Sequence, residues 1–101
     1  MAVEMIVRRT GDYRDARLVP LRSKGVALLK KHGAISHKFG YYHSGSHAGR
    51  IHVAIGYPDV AAHERAMQGM SQDPEWSKVA AELEGIAPLE ESYLAIVTEE
   101  Q

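Results

Sequence analysis

The chain has 101 residues, 45% of them hydrophobic and 25% charged, which fits one globular domain spanning 1–101 and leaves no room for a second. Twelve basic against thirteen acidic side chains give a net charge of -1, too weak a field to draw in nucleic acid or an anionic membrane surface. The sequence has no cysteine and no asparagine, which excludes disulfide scaffolds, thiolate metal sites, cysteine nucleophiles and any mechanism built on an Asn side chain.

Val3 to Arg9 reads as a strand, with Val3, Met5 and Val7 on one side and Glu4, Ile6 and Arg8 on the other. The acid inside this apolar run and the arginines after it are the reverse of a signal peptide, and no apolar run approaches the ~20 residues of a spanning helix. The expectation is a cytoplasmic protein. Thr10-Gly11-Asp12 is turn chemistry, and a helix from about Asp15 to His32 follows. Leu18, Leu21, Gly25, Leu28, Leu29 and His32 fall at helical spacing. Pro20 belongs in the first turn, and Gly33 makes a left-handed stop.

Ile35 to His43 reads as a second strand, Ser44 to Gly49 as a hairpin loop, and Arg50 to Tyr57 as a third strand ended by Pro58. Asp59 caps a helix running to about Met70. Asp73-Pro74-Glu75 starts another, with Trp76, Val79, Ala80 and Leu83 as its apolar stripe and Gly85 closing it. After Pro88, Ser92 to Thr98 makes the last strand. The order is β-α-β-β-α-β with the second helical region broken in two. This predicts an α+β, ferredoxin-like antiparallel sheet with its helices on one face.

The two middle strands admit two registers, and a one-residue slip exchanges their faces. We favour the register that sets Phe39 and Tyr41 against Ile55 and Val53 on the helix side. The opposite face then carries Lys38, Gly40, Tyr42, Arg50, His52, Ala54 and Gly56, a mix of small and polar residues suited to a cavity wall. His52, mid-strand, is the candidate acid–base group, with Tyr42 as a hydrogen-bond donor and Arg50 and Lys38 as ligand-binding cations. In the other register His37, Tyr41 and His43 face that space instead. A metal site from His43, His47 and His52 lacks a convergent helical spacing, and His63-Glu64 has no second histidine four residues on. No cofactor and no metal are assigned. Ser44-Gly45-Ser46 lacks the lysine and following helix of a phosphate loop.

The stretch from Tyr57-Pro58-Asp59 through His63-Glu64-Arg65 to Asp73-Pro74-Glu75-Trp76, within this topology, resembles the dimeric α+β barrel superfamily, and is similar to the NIPSNAP pattern in particular. Other members are antibiotic-biosynthesis monooxygenases and EthD-type proteins. The resemblance implies a homodimer whose two sheets face each other around a pocket, and a small-molecule ligand. NIPSNAP-type domains often carry His and Trp on the third strand; Val53 and Ile55 stand there. The Asn–Trp–His set of haem-degrading relatives has no counterpart here. Two functions follow: a cofactor-independent, monooxygenase-like enzyme acting on a small aromatic or polyketide-like molecule, or a non-catalytic binding or structural homodimer.

Overall fold

Seven elements alternate along the chain in the computed structural model, which describes residues 2–99. They are β1 (Val3–Arg9), α1 (Leu18–Lys31), β2 (Ser36–Tyr41), β3 (Ile51–Tyr57), α2 (Val60–Ser71), α3 (Pro74–Ile86) and β4 (Leu89–Ile96). The four strands form one antiparallel sheet in the order β2-β3-β1-β4. The order of elements is the ferredoxin-like one expected from the hydrophobic pattern.

Each helix starts where its residues dictate. Asp59 accepts a hydrogen bond from the Ala62 amide, and Asp73 one from the Glu75 amide, so both act as N-caps. Pro74 occupies the first position of α3, where no amide hydrogen is needed. α1 begins at Leu18, three residues later than expected. Asp12 and Asp15 each take the backbone amide two residues on, from Arg14 and Arg17, and these local turns hold 12–17 out of the helix. Pro20 lies in the first turn, and Gly33 follows the helix at a φ of +106°. Gly85 does not close α3, which runs on to Ile86 and is capped when the Ala87 amide bonds the Leu83 carbonyl.

β4 also departs from expectation, starting at Leu89 rather than Ser92 and ending at Ile96 rather than Thr98. Glu90 and Glu91 are poor strand formers, but both bind the buried Arg8 guanidinium, and Arg50 binds Glu90 at 3.1 Å. The pairing places two carboxylates in a strand that their propensity alone would not make.

The β2–β3 hairpin has the expected faces in a shifted register. Phe39 lies opposite Val53 and Tyr41 opposite Ile51, with His37 opposite Ile55. The shift follows from the turn: Gly49, at a φ of +85°, donates to the Tyr42 carbonyl, and the Tyr42 amide donates to Arg50, closing the ladder there.

The helices cover one face of the sheet. Val3, Leu29, Ala34, Ile55, Tyr57, Ala62, Ala66 and Met70 form one buried cluster, and Leu18, Ile51 and Ala87 a second. His32 ties the end of α1 to the α2–α3 junction through Asp73, Nε2 to Oδ2 at 2.8 Å, with Lys31 on the same oxygen at 3.2 Å. Gly69 leaves room for the His32 ring, since a Cβ there would collide with it.

The His32 hydrogen bond, together with Lys31 and the Glu75 amide, holds the Asp73 carboxyl at about 2, below its ordinary 3.8. A depressed folded-state pKa stabilises the fold above the ordinary value and stops doing so as pH falls through the folded one. Asp73→Asn is therefore expected to be less stable at pH 7 and to show a shallower loss between about pH 4 and pH 2, measured as urea midpoints. The Tyr57 hydroxyl is buried without a hydrogen-bond partner among the described residues. Tyr57→Phe is expected to be as stable as the parent or more so, whereas Tyr57→Ala loses about 3–5 kcal/mol in the same assay.

Candidate functional site

The two apolar clusters touch through Val53, which packs against both. A cavity of about 210 Å3 lies between them, under α1 and α3 and against the sheet. Leu29 and Ile55 line it from the first cluster, and Leu18, Ile51 and Ala87 from the second. Met5, Val7, Phe39 and Val53 form its floor, and Trp76 and Leu83 reach it from α3. The lining spans all four strands, so the space is a slot that runs the width of the sheet.

Gly25 stands in the middle of α1, is buried, and faces this slot. A Cβ at Gly25 would meet nothing within 4 Å. Close packing therefore does not require glycine there, although an interior helical glycine costs about 0.5–1 kcal/mol relative to alanine. What the glycine preserves is volume.

The polar lining is confined to Arg9, Arg22, His37 and Ser92, and no carboxylate is among the lining residues. Arg9 lies at the β1–β4 end; it donates to the Ala87 carbonyl at 3.1 Å and has Glu84 at 3.6 Å. Burial lowers its pKa, and the Glu84 charge opposes that fall. Arg22 lies at the other end, where its guanidinium stacks 4.2 Å above the Phe39 ring. Among the described residues it has no ion-pair partner. His37, on β2, is half-buried beside it. Burial first, and then the charges of Arg22 and Lys30, push the His37 imidazole below its ordinary value of 6.5. At neutral pH the ring is therefore uncharged, with one nitrogen free to take a proton. A shallow recess formed by Arg22, Ser23, Val26, His37 and Phe39 opens this end to solvent.

The residues singled out from the sequence lie on the other side of the sheet. Strand alternation sets Lys38, Tyr42, Arg50 and His52 on the face away from the helices. There His52 Nδ1 and the Tyr42 hydroxyl are 3.1 Å apart, their rings meet edge-on at 5.2 Å, and His47 stands 6.0 Å from Tyr42. Arg50 is held by Glu90, and Lys38 is 3.6 Å from Glu4. The four are brought to one face, but the cavity is not on it. Sequence reasoning reached His37 only through the alternative register; it missed Arg22, whose sole signal was its place one residue after Leu21 on the apolar stripe. Among the described residues, no three His, Cys, Asp or Glu side chains gather as a metal site, and no helix is long and apolar enough to cross a membrane.

A family model described as a domain of unknown function, DUF6854, matches residues 5–95. The chain belongs to this family. No curated protein matches it. Among solved structures, the DUF6854 chain is similar to SnoaB, a cofactor-independent oxygenase from Streptomyces nogalater. That match has 16% identity, a TM-score of 0.73, and coverage of 98% of this chain and 95% of that one. A NIPSNAP domain protein from Burkholderia xenovorans matches at 16% identity and a TM-score of 0.75, covering 97% and 95%. A dimeric ferredoxin-like protein from an uncultured marine organism matches at 14% identity and a TM-score of 0.70, covering 99% and 97%. These likenesses establish the ferredoxin-like fold of this DUF6854 domain.

Gly25→Ala is expected to stabilise the protein by about 0.5–1 kcal/mol, because it raises helix propensity without a clash. Thermal unfolding checks this: an unchanged or lower midpoint would mean that the space around residue 25 is already filled.

Proposed function

We propose that this DUF6854 protein is a small-molecule enzyme of the cofactor-independent oxygenase type, working inside the helix–sheet cavity with His37 as its base. The observation that carries the reading is a half-buried histidine, its pKa held below the ordinary value by burial, at the mouth of an apolar slot. Its fold likeness to SnoaB, a cofactor-independent oxygenase, supports the reaction class.

The chemistry asks little of the protein. His37 removes a proton from a phenol or enol held in the slot. The resulting carbanion-like anion gives one electron to dioxygen, the two radicals combine in a new carbon–oxygen bond, the peroxide anion takes back the proton from His37, and the hydroperoxide loses water, with the hydrogen left on that carbon, to give a carbonyl. Apolar walls such as Phe39, Val53 and Leu83 exclude water from the anion and so favour electron transfer to dioxygen over reprotonation. Small aromatic or polyketide-like molecules match both the apolar lining of the slot and the need for an acidic, electron-rich carbon. In the same proposal the protein is a homodimer joined through the sheet face away from the helices, where Tyr93 lies 47% exposed. The dimeric marine relative supports that assembly.

The second reading is a non-catalytic homodimer that binds a small molecule. The Tyr42–His52 contact and the Arg50–Glu90–Arg8 network favour it, because they make the uncovered sheet face a preorganised polar surface. In an enzymatic version of that reading, His52 is the base, with Tyr42, Arg50 and Lys38 as ligand contacts.

Oxygen uptake with a panel of phenols and enolisable aromatic ketones separates these readings. His37→Ala is expected to lower turnover by about 100-fold or more, as for the loss of a general base, while His52→Ala leaves most of it. Loss with His52→Ala and retention with His37→Ala would move the chemistry to the uncovered sheet face. Binding without oxygen uptake would leave the non-catalytic reading.

A further inference from the structure

We infer that the cavity selects a small apolar molecule with a single anionic group, and that the anion sits at the α1–β2 mouth between Arg22 and His37. This deepens the proposed function, since it rests on the same cavity, but it names a ligand charge that the oxygenase chemistry alone does not require at binding.

Three observations carry it. The first is the charge of the lining, which includes two arginines and no carboxylate. The second is the different state of those arginines. Arg9 is satisfied by Glu84 and the Ala87 carbonyl, whereas Arg22 rests on the Phe39 ring with no acid beside it among the described residues. A guanidinium on an aromatic face keeps its edge nitrogens free, which is the geometry for a bidentate carboxylate or phenolate contact. The third is position. Arg22, His37 and Phe39 line both the slot and the open recess outside it. A ligand entering there keeps its anionic end at the partly wet mouth and slides its apolar body inward, toward Trp76. An anion deeper in the slot would lose its hydration with only the compensated Arg9 to replace it.

The volume bounds the size. At about 210 Å3 the slot is smaller than the roughly 300–1,000 Å3 pockets of drug-sized ligands. Molecules of one or two fused rings fit, and larger polycycles need the walls to open.

The test is calorimetric titration with 2-naphthoate and with 2-naphthamide, which share a shape and differ in charge. The wild type is expected to bind the naphthoate about tenfold or more tightly than the amide, the usual worth of one charge-assisted hydrogen-bonded pair. Arg22→Gln is expected to abolish that preference, and Arg22→Lys to restore part of it. Gly25→Phe, which fills the slot, is expected to abolish binding of both. Folding of each variant is checked by thermal unfolding, and Arg22→Gln, on a half-exposed helix position, serves if Gly25→Phe fails to fold. Equal affinity for the two probes, an unaltered preference in Arg22→Gln, or naphthoate binding that persists in a folded Gly25→Phe would each overturn the inference. If neither probe binds the wild type, the cavity reading falls together with it. If the naphthoate is preferred through Arg22 and yet no phenol or ketone consumes oxygen, the ligand class stands and the oxygenase reading alone fails.

Discussion

The strict alternation of β3 governs the rest of the molecule. This strand lies between β2 and β1, so its two faces set those of its neighbours. Ile51, Val53, Ile55 and Tyr57 turn to the helices and anchor both apolar clusters. Arg50, His52, Ala54 and Gly56 turn away. A slip of one residue would bury Arg50 and His52 against α1 and expose the isoleucines, at a cost of several kcal/mol for the unpaired buried charge alone. Two local devices fix the register. Gly49 ends the ladder at Tyr42 and Arg50, and Gly56 gives room to the Ser36 hydroxyl, which a Cβ there would strike.

With that register set, the helix side has more sheet to cover than its helices fill. α2 packs over the Tyr57 end, and α1 with α3 crosses the rest, leaving the slot between the two clusters. In a rigid core, an empty space of 210 Å3 costs about 5 kcal/mol at ~24 cal/mol per Å3, and less where the space opens to water. That is a large fraction of the ~5–15 kcal/mol that holds a domain together. Leucine-rich α1 has residues enough to close such a gap, and the helix instead carries a buried glycine on the face that lines it. The unfilled volume and the buried Gly25 are two aspects of one trade of stability for space, which is what a ligand site requires.

Much of the fold was legible because local chemistry and global packing agreed. The caps Asp59 and Asp73, the proline at position 74 and the β3 alternation are each decided within a few residues, and each appears where expected. The departures come from side chains acting at a distance or against propensity. The Asp12 and Asp15 turns delay α1 by competing for its first amides. The start of β4 depends on Arg8, more than eighty residues away in sequence, which makes strand residues of Glu90 and Glu91. The faces of the candidate residues were legible by parity, and the Tyr42–His52 contact follows from it. The cavity was not legible, because a void is the difference between two large volumes and no periodicity reports it. Small residues on β3, Ala54 and Gly56, suggested space on their own face, whereas Ala54 is buried and the Ser36 side chain lies over Gly56.

The two faces of the sheet are not independent. Arg8 and Arg50 on the uncovered face hold Glu90, and Glu90 follows Leu89, which lines the slot at its β4 end beside Arg9 and Ala87. Strand alternation turns Arg8 and Arg9 to opposite sides, and the bulge opposite them leaves Glu90 as the extra residue of β4. Arg8 clamps the edge strand from outside, and Arg9 caps the slot from inside. Loss of the Arg8 clamp would free the start of β4, where two glutamates favour departure from the sheet, and with it Leu89, which lines that end of the slot. An ion network built on the buried Arg8 guanidinium thereby has a structural role: it holds Leu89 and the β4 end of the slot in place.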